Sequence, residues 1–344
     1  MSWSTGVRAD HPDREWLVGI ATGIDWWLDE KVSTPTSQLT GGGAIARGEH
    51  QLSALHDGRP AMLVPSATYA LWVALRVLGV RADDDVLIPQ YDWTSSLAVV
   101  LGLGARPVVV PVDPTTLTMD PVAAAALRTA ETRAVIATHL FGIPADIPAL
   151  QLALPGVSIV EDCAQAFGST LDGRPAGSLG DAAVFSFGPG KRMDVGELGA
   201  LLLRDEHLYD RALMESAHPI RQQIDGLASL QLANLSIRPH PLAAVLLNVA
   251  LDRYDSRTLI ESRQLMGERL ALDPDLPLIG VDSRRGVATA TIPVLADRAA
   301  AAMLPPDIAA SPGDVLDIGS VSTDAPITLP LVFLGGTHYM AEVC

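Results

Sequence analysis

Of the 24 basic residues in this 344-residue chain only two are lysines, Lys31 and Lys191. Arginine serves for surface charge and ion pairs, but its guanidinium stays protonated and forms no imine, so each retained lysine invites a chemical explanation. Lys31 sits in the charged run Asp29-Glu30-Lys31 and reads as a solvated position. Lys191 is different. It ends Ser186-Phe187-Gly188-Pro189-Gly190-Lys191, directly after an apolar run with the character of a strand. A strand end followed by Gly-Pro-Gly lifts the amine off a sheet, where partial desolvation lowers its pKa toward reactivity. The competing phosphate loop, G-x-x-x-x-G-K-[ST], fails twice: Phe185 stands at its first glycine and Arg192 at its hydroxyl position.

A second candidate lies some thirty residues earlier, where Val160-Glu161-Asp162 closes another strand. A lysine and a carboxylate facing one crevice suit pyridoxal 5'-phosphate. The amine forms an imine with the aldehyde, and the acid keeps the pyridine nitrogen protonated so that the ring accepts electrons. Alone, a strand-end aspartate is more often a helix cap. Ser66-Ala67-Thr68 opens a helical stretch straight after a strand, where outward-pointing amides and the helix dipole favour a phosphate; Ser66 is equally an ordinary N-cap. Trp93 follows a strand closely and offers a face for a flat ring, or simply packs.

These residues need a scaffold, and the hydropathy pattern supplies one. Strands are expected at 61–65, 85–89, 107–112, 134–138, 157–161, 182–187 and 200–203. Helices are expected at 68–78, 95–103, 121–130, 147–152 and from about 206. That alternation is α/β with a mostly parallel central sheet flanked by helices, and in such sheets ligands sit beyond the carboxyl ends of the strands. A helix near 15–28 and the Gly41-Gly42-Gly43 segment precede the sheet. A long Ala/Leu helix from Pro241 to about Leu270 follows it, then strand candidates near 287–293 and 327–332. The expected division is an N-terminal arm plus large domain over 1–235 and a small, shortened C-terminal α/β domain over 236–344.

Composition removes other classes. A net charge of -16 without a basic cluster argues against nucleic acid, and no apolar run is long enough to span a bilayer. Charged residues within the first twenty positions speak against a secretory signal, and two cysteines make neither a disulfide framework nor a four-ligand zinc site, so a reducing cytoplasm and no metal are expected.

The segments PSATYALWVALRVLGV, DDDVLIPQYDW, ATHLFGIPAD, VEDCAQAFGS, GSLGDAAVFSFGPGKRMDVGELGALL and NLSIRPHPLAA, in this order, resemble the DegT/DnrJ/EryC1/StrS family of pyridoxal-phosphate-dependent sugar and cyclitol aminotransferases. The resemblance implies a fold-type-I architecture. Lys191 takes the place of the imine lysine, Asp162 of the pyridinium partner and Gln165 of the residue beside the ring hydroxyl. Ser66, Ala67, Thr68 and Ser186 take that of the phosphate site, and Trp93 of the stacking aromatic. Asn234 matches an asparagine reaching the phosphate of the neighbouring subunit, which implies a homodimer with shared sites. Ala67 and Leu198 depart from family glycines, and the second domain is short, which bears on whether a bulky nucleotide-sugar fits. Arg238, Arg221 and His218 are candidates for substrate contact. The implied reaction moves an amino group from glutamate or glutamine to a keto-sugar or keto-cyclitol in amino-sugar or antibiotic biosynthesis. Non-transaminating chemistry on an amino acid is the alternative, and a non-catalytic binding or regulatory protein a third reading.

Overall fold

The computed structural model describes residues 14–33, 37–257, 260–261, 284–288, 292–295, 310–313 and 331–334. Three helices lead in: α1 (Arg14–Ser33), α2 (Ser37–Thr40) and α3 (Ala44–Leu55). The α/β alternation then runs β1 (Ala61–Val64), α4 (Ala67–Val77), β2 (Asp85–Pro89), α5 (Ser95–Gly102), β3 (Arg106–Val110), α6 (Pro121–Leu127), β4 (Thr132–Thr138), α7 (Ile147–Ala153) and β5 (Ser158–Asp162). A small hairpin of β6 (Thr170–Leu171) and β7 (Arg174–Pro175) precedes β8 (Ala182–Ser186) and β9 (Gly199–Leu203). Helices α8 (Glu206–Ser216), α9 (Pro219–Ile224) and α10 (Pro241–Leu251) follow, then β10 (Arg285–Gly286), β11 (Ile292–Leu295), β12 (Ala310–Gly313) and β13 (Leu331–Leu334).

Seven strands form one sheet in the order β1-β9-β8-β5-β4-β2-β3. Neighbours from β8 through β3 pair in parallel, whereas β9 runs antiparallel to both β8 and β1. The strands are apolar almost throughout because both faces are covered. Ala182 and Val184 of β8 join a core with α4, α5 and α8, while Ala183 and Phe185 point into the opposite core with α3 and α10. That period-two split is the pleat of a strand buried on both sides. Helix starts are set by short acceptors: Ser66, Asp120, Asp146 and Asp205 each take a backbone N–H of the first turn of α4, α6, α7 and α8.

The element series matches the expectation to within a few residues at each end, with one substantial exception. The helix expected from Pro241 to about Leu270 stops at Leu251. The physical reason lies in the next turn. Asp252 is tied to Arg47 and Gln51 of α3, and Asp255 Oδ1 accepts the N–H of Arg257 at 2.9 Å, capping a fresh helical start. Between them the Tyr254 hydroxyl donates to the Phe167 carbonyl at 2.8 Å. Residues 262–270 lie outside the described residues. The buried face of α10 packs with Ala44, Ile45 and Leu52 of α3, so the division expected at 235/236 is followed by a helix that shares the core of the larger unit. Strands β11, β13 and β12 form a separate antiparallel sheet, close to two of the short strands expected near the C-terminus. Among the described residues no helix is long and apolar enough to cross a membrane.

Candidate active site

The parallel strands carry their C-terminal residues to one edge of the sheet, and register fixes which residues meet there. Thr138 of β4 pairs with Asp162 of β5, Asp162 with Val184 of β8, and Ser186 of β8 with Gly199 of β9, which in turn pairs with Val64 of β1. Residues 162 and 186, far apart in sequence, therefore crown neighbouring strands, and residue 66 follows β1 at the same edge, one strand beyond across the start of β9.

Lys191 stands on the β8–β9 connection. Gly190 adopts φ 73°, a conformation that disfavours a side chain, and Lys191 N–H closes the turn onto the Gly188 carbonyl at 3.1 Å. Asp194 braces the loop from below, accepting Gly190 N–H at 3.1 Å and Gly196 N–H at 2.9 Å. Met193, Val195 and Leu198 are buried beneath it. The amine is half-buried, and desolvation lowers its pKa against the opposing pull of the Asp162 and Asp92 charges.

Asp162 is 5% exposed. One oxygen, Oδ1, accepts the Ala164 N–H at 2.9 Å, while Oδ2 takes no hydrogen bond among the described residues. Burial pushes this carboxyl above the usual range, with the Ala164 N–H and the Lys191 charge working the other way. Gln165 is oriented by Phe141, whose N–H donates to Oε1 at 2.8 Å, while its amide nitrogen makes no hydrogen bond among the described residues. Phe141 sits at φ 55°, a conformation rare for an aromatic residue and found where surrounding structure enforces it, often at functional sites.

Around Ser66 the backbone is tightly gathered. Its hydroxyl accepts the Tyr69 N–H at 3.2 Å, so its role as an N-cap is real, and Thr68 is exposed at the start of α4. A Cβ on Gly199 would strike the Ser66 carbonyl carbon and lie 2.6 Å from the Ala67 nitrogen and 2.7 Å from the Ser66 oxygen. Gly199→Ala is therefore expected to displace the first turn of α4 at a cost of about 1–3 kcal/mol. Thermal unfolding should show the loss, and the Ala67 and Thr68 amides should hold an anion less well. The Ser186 hydroxyl lies 3.5 Å from the Gly188 nitrogen, too long to occupy it.

Trp93 is 65% exposed and its ring makes no aromatic contact among the described residues; its N–H donates to Asp92 Oδ1 at 2.7 Å. Asn234 is turned to its own chain, with Nδ2 donating to the carbonyls of Met214, Ala217 and Gln231 at 2.9–3.1 Å. Arg221 is a correction: rather than facing substrate it is 8% exposed and pairs with Glu49 at 2.8 and 3.1 Å and with the Tyr209 hydroxyl. His218 caps α9, and Arg238 binds Ser236.

Two neighbours were given no role from the sequence. Asp92, in the Tyr91-Asp92-Trp93 loop after β2, reaches Thr138 at the end of β4. Glu161 supports the site from the other face of β5. It accepts the N–H groups of Gly177, Leu179 and Gly180 at 2.6–2.9 Å and pairs with His139 Nε2 at 3.1 Å. His139, Glu161 and Cys163 bring ligand atoms within 4.8 Å of one another, but His139 Nδ1 already accepts the Ala145 N–H, and those donors engage both Glu161 oxygens. Cys163 is buried, and desolvation with the Glu161 and Asp162 charges pushes its thiol well up.

Residues 31–272 match the pattern of the DegT/DnrJ/EryC1/StrS aminotransferase family. The chain is 39% identical over 178 residues to L-glutamine:scyllo-inosose aminotransferase of Streptomyces griseus, covering 50% of this chain and 42% of that one. It is 30% identical over 259 residues to 3-amino-5-hydroxybenzoate synthase of Amycolatopsis mediterranei (strain S699), covering 74% and 64%. The chain thus spans about half the length of the curated relatives it matches. Among solved structures, a 3-amino-5-hydroxybenzoic acid synthase superposes with a TM-score of 0.71 at 27% identity, over 85% of this chain and 76% of that one. A fold-type-I α/β architecture, a strand-end lysine facing a buried acid and a match over 31–272 converge on one conclusion: the chain belongs to the DegT/DnrJ/EryC1/StrS aminotransferase family.

Proposed function

We propose that this chain is a pyridoxal-phosphate-dependent aminotransferase that takes an amino group from glutamine or glutamate and delivers it to a keto-cyclitol or keto-sugar. The observation that carries the reading is Asp162: a buried carboxyl with one uncommitted oxygen, at the edge where the half-buried amine of Lys191 projects. The open oxygen can accept a hydrogen bond from a bound group at that edge. The pyridine nitrogen of the cofactor fits that oxygen, and the gathered backbone at Ser66, Ala67 and Gly199, with the hydroxyls of Thr68 and Ser186, fits its phosphate. When bound, the cofactor supplies an aldehyde for covalent attachment and a ring that withdraws electrons from the substrate.

The chain's residues do the rest. Lys191 would hold the cofactor through its Nζ, and that amine, when free and neutral, is a base able to take a proton at the same point and return it. Desolvation favours that neutral form. Asp162, ionised against the ring, stabilises positive charge there without moving. Gln165 keeps its amide nitrogen free to donate toward the ring oxygen, and Trp93 offers a face to cover the ring and exclude water.

Relatives named as L-glutamine-dependent inosose aminotransferases support glutamine and a cyclitol ketone as the pair to test first. The second reading is non-transaminating chemistry on an amino acid, motivated by the short second domain. A homodimer is part of the proposal. Exposed Leu230, Leu232, Leu235 and Ile237 flank Asn234, an apolar stretch suited to burial against a second copy, and the reading is of a cytoplasmic enzyme. The test is direct. Full-length protein, loaded with cofactor, receives glutamine and then scyllo-inosose. Release of the donor's keto acid in proportion to aminated cyclitol is the expected result; turnover of an amino acid with no aminated ketone selects the second reading.

A further inference from the structure

Asp92 has no part in the chemistry described so far, yet it is among the most enclosed acids of the chain, 3% exposed. Its Oδ2 accepts the Ser96 hydroxyl of α5 at 2.5 Å and the Thr138 hydroxyl of β4 at 2.8 Å; its Oδ1 accepts the Trp93 N–H at 2.7 Å. Thr138 is also the β-ladder partner of Asp162, so one residue links Asp92 to the level of the second acid. A lone acid before a helix is usually a cap. Here Asp92 takes no N–H of α5 among the described residues: its donors are the backbone N–H of Trp93, which precedes the helix, and two side-chain hydroxyls, one of them from β4.

We propose that Asp92 is a positioning residue that works with Asp162 as a pair of buried carboxyls, setting the charge held against the Lys191 amine and hence the pH range in which that amine is free. The proposal rests on the reading of Lys191 as the reacting amine. The groups around Asp92 are few. Asp162 stands beside Thr138 in the β4–β5 register, among the described residues α5 and β4 each give Asp92 a hydroxyl, and the Lys191 amine responds to both carboxylates. Desolvation and the Asp162 charge push Asp92 up to about 7, against the three donated hydrogen bonds. The sign follows. Below that pH Asp92 is neutral and does little to the amine. Above it the carboxylate stabilises the Lys191 ammonium, so the free amine appears at higher pH than burial alone dictates.

The two-lysine composition makes a test possible on the full-length chain freed of cofactor. An amine-acylating reagent is applied across a pH series, and Lys191 and Lys31 are quantified separately by peptide mass, Lys31 serving as the internal reference. In Asp92→Asn, Lys191 should acylate faster at pH 8 by up to about tenfold, the equivalent of one pH unit, while the difference vanishes below about pH 6. Ser96→Ala removes a donor to the carboxylate and should delay its ionisation, giving a smaller change in the same direction. Superimposable Lys191 profiles for wild type and Asp92→Asn would overturn the proposal; if that variant does not fold, an unchanged profile in Ser96→Ala does so. Failure of the underlying cofactor reading is distinct: it shows as no borohydride-fixed adduct at Lys191 in loaded wild type, whatever the acylation profiles.

Discussion

Lys191→Arg is expected to lose the covalently held cofactor and to turn over more slowly than wild type by at least about 10⁴-fold, the upper range for a single proton-transfer group. The substitution keeps positive charge and length, so a merely electrostatic role for Lys191 would survive it. What it removes is the ability to be a neutral amine, because a guanidinium does not deprotonate under these conditions. The loop itself should be undisturbed, since Asp194 holds it through Gly190 and Gly196 rather than through the lysine side chain. The check is borohydride reduction, digestion and mass measurement of the peptide around residue 191, with the visible absorbance recorded alongside. Wild-type turnover in the variant would refute the assignment.

The second large effect concerns stability. Glu161 is fully buried and its oxygens face only donors: Leu179 and Gly180 N–H at Oε1, Gly177 N–H and His139 Nε2 at Oε2, with Arg59 3.9 Å away. Glu161→Gln keeps the volume but sets an NH₂ group against one pair of those donors. A loss of about 3–5 kcal/mol is expected, as for breaking a buried charged network by removing one partner. The pH dependence carries a sign that can be worked through. Burial alone would raise this carboxyl, but the His139 hydrogen bond, with the Gly180 and Gly177 amides, holds it below its usual range. An acid depressed in the folded state adds stability above its unfolded pKa and loses it as pH falls through the folded value. The gap between wild type and variant, measured by urea unfolding, should therefore be widest near pH 7 and close toward strong acid. A constant gap would mean that the NH₂ group facing donors, not the lost charge, is responsible.

Much of the scaffold was legible because strands buried on both faces leave unbroken apolar runs and helices announce their first turn with Ser or Asp, as at Ser66 and Asp205. Lys191 and Asp162 stood out for the same reason, each following such a run directly. Asp92 did not, since an acid between two aromatics after a strand looks like any loop residue; its partner Thr138 is 46 positions away, and only the sheet brings them together. Arg221 misled in the opposite sense. Its charge suggested a substrate contact, but Glu49, 172 positions earlier, claims it in the core. The break after Leu251 was hidden because the Ala/Leu pattern of α10 carries no stop signal, whereas Asp255 begins a new helix through a single side-chain oxygen.

Cys163 follows Asp162 immediately, shut in and reluctant to ionise. A thiol so placed meets an alkylating agent only while the end of β5 is open. The rate at which that one sulfur is consumed is accordingly a clock for how often the neighbouring acid is dislodged, and a cofactor held by Asp162 and Lys191 should slow the clock without touching the sulfur.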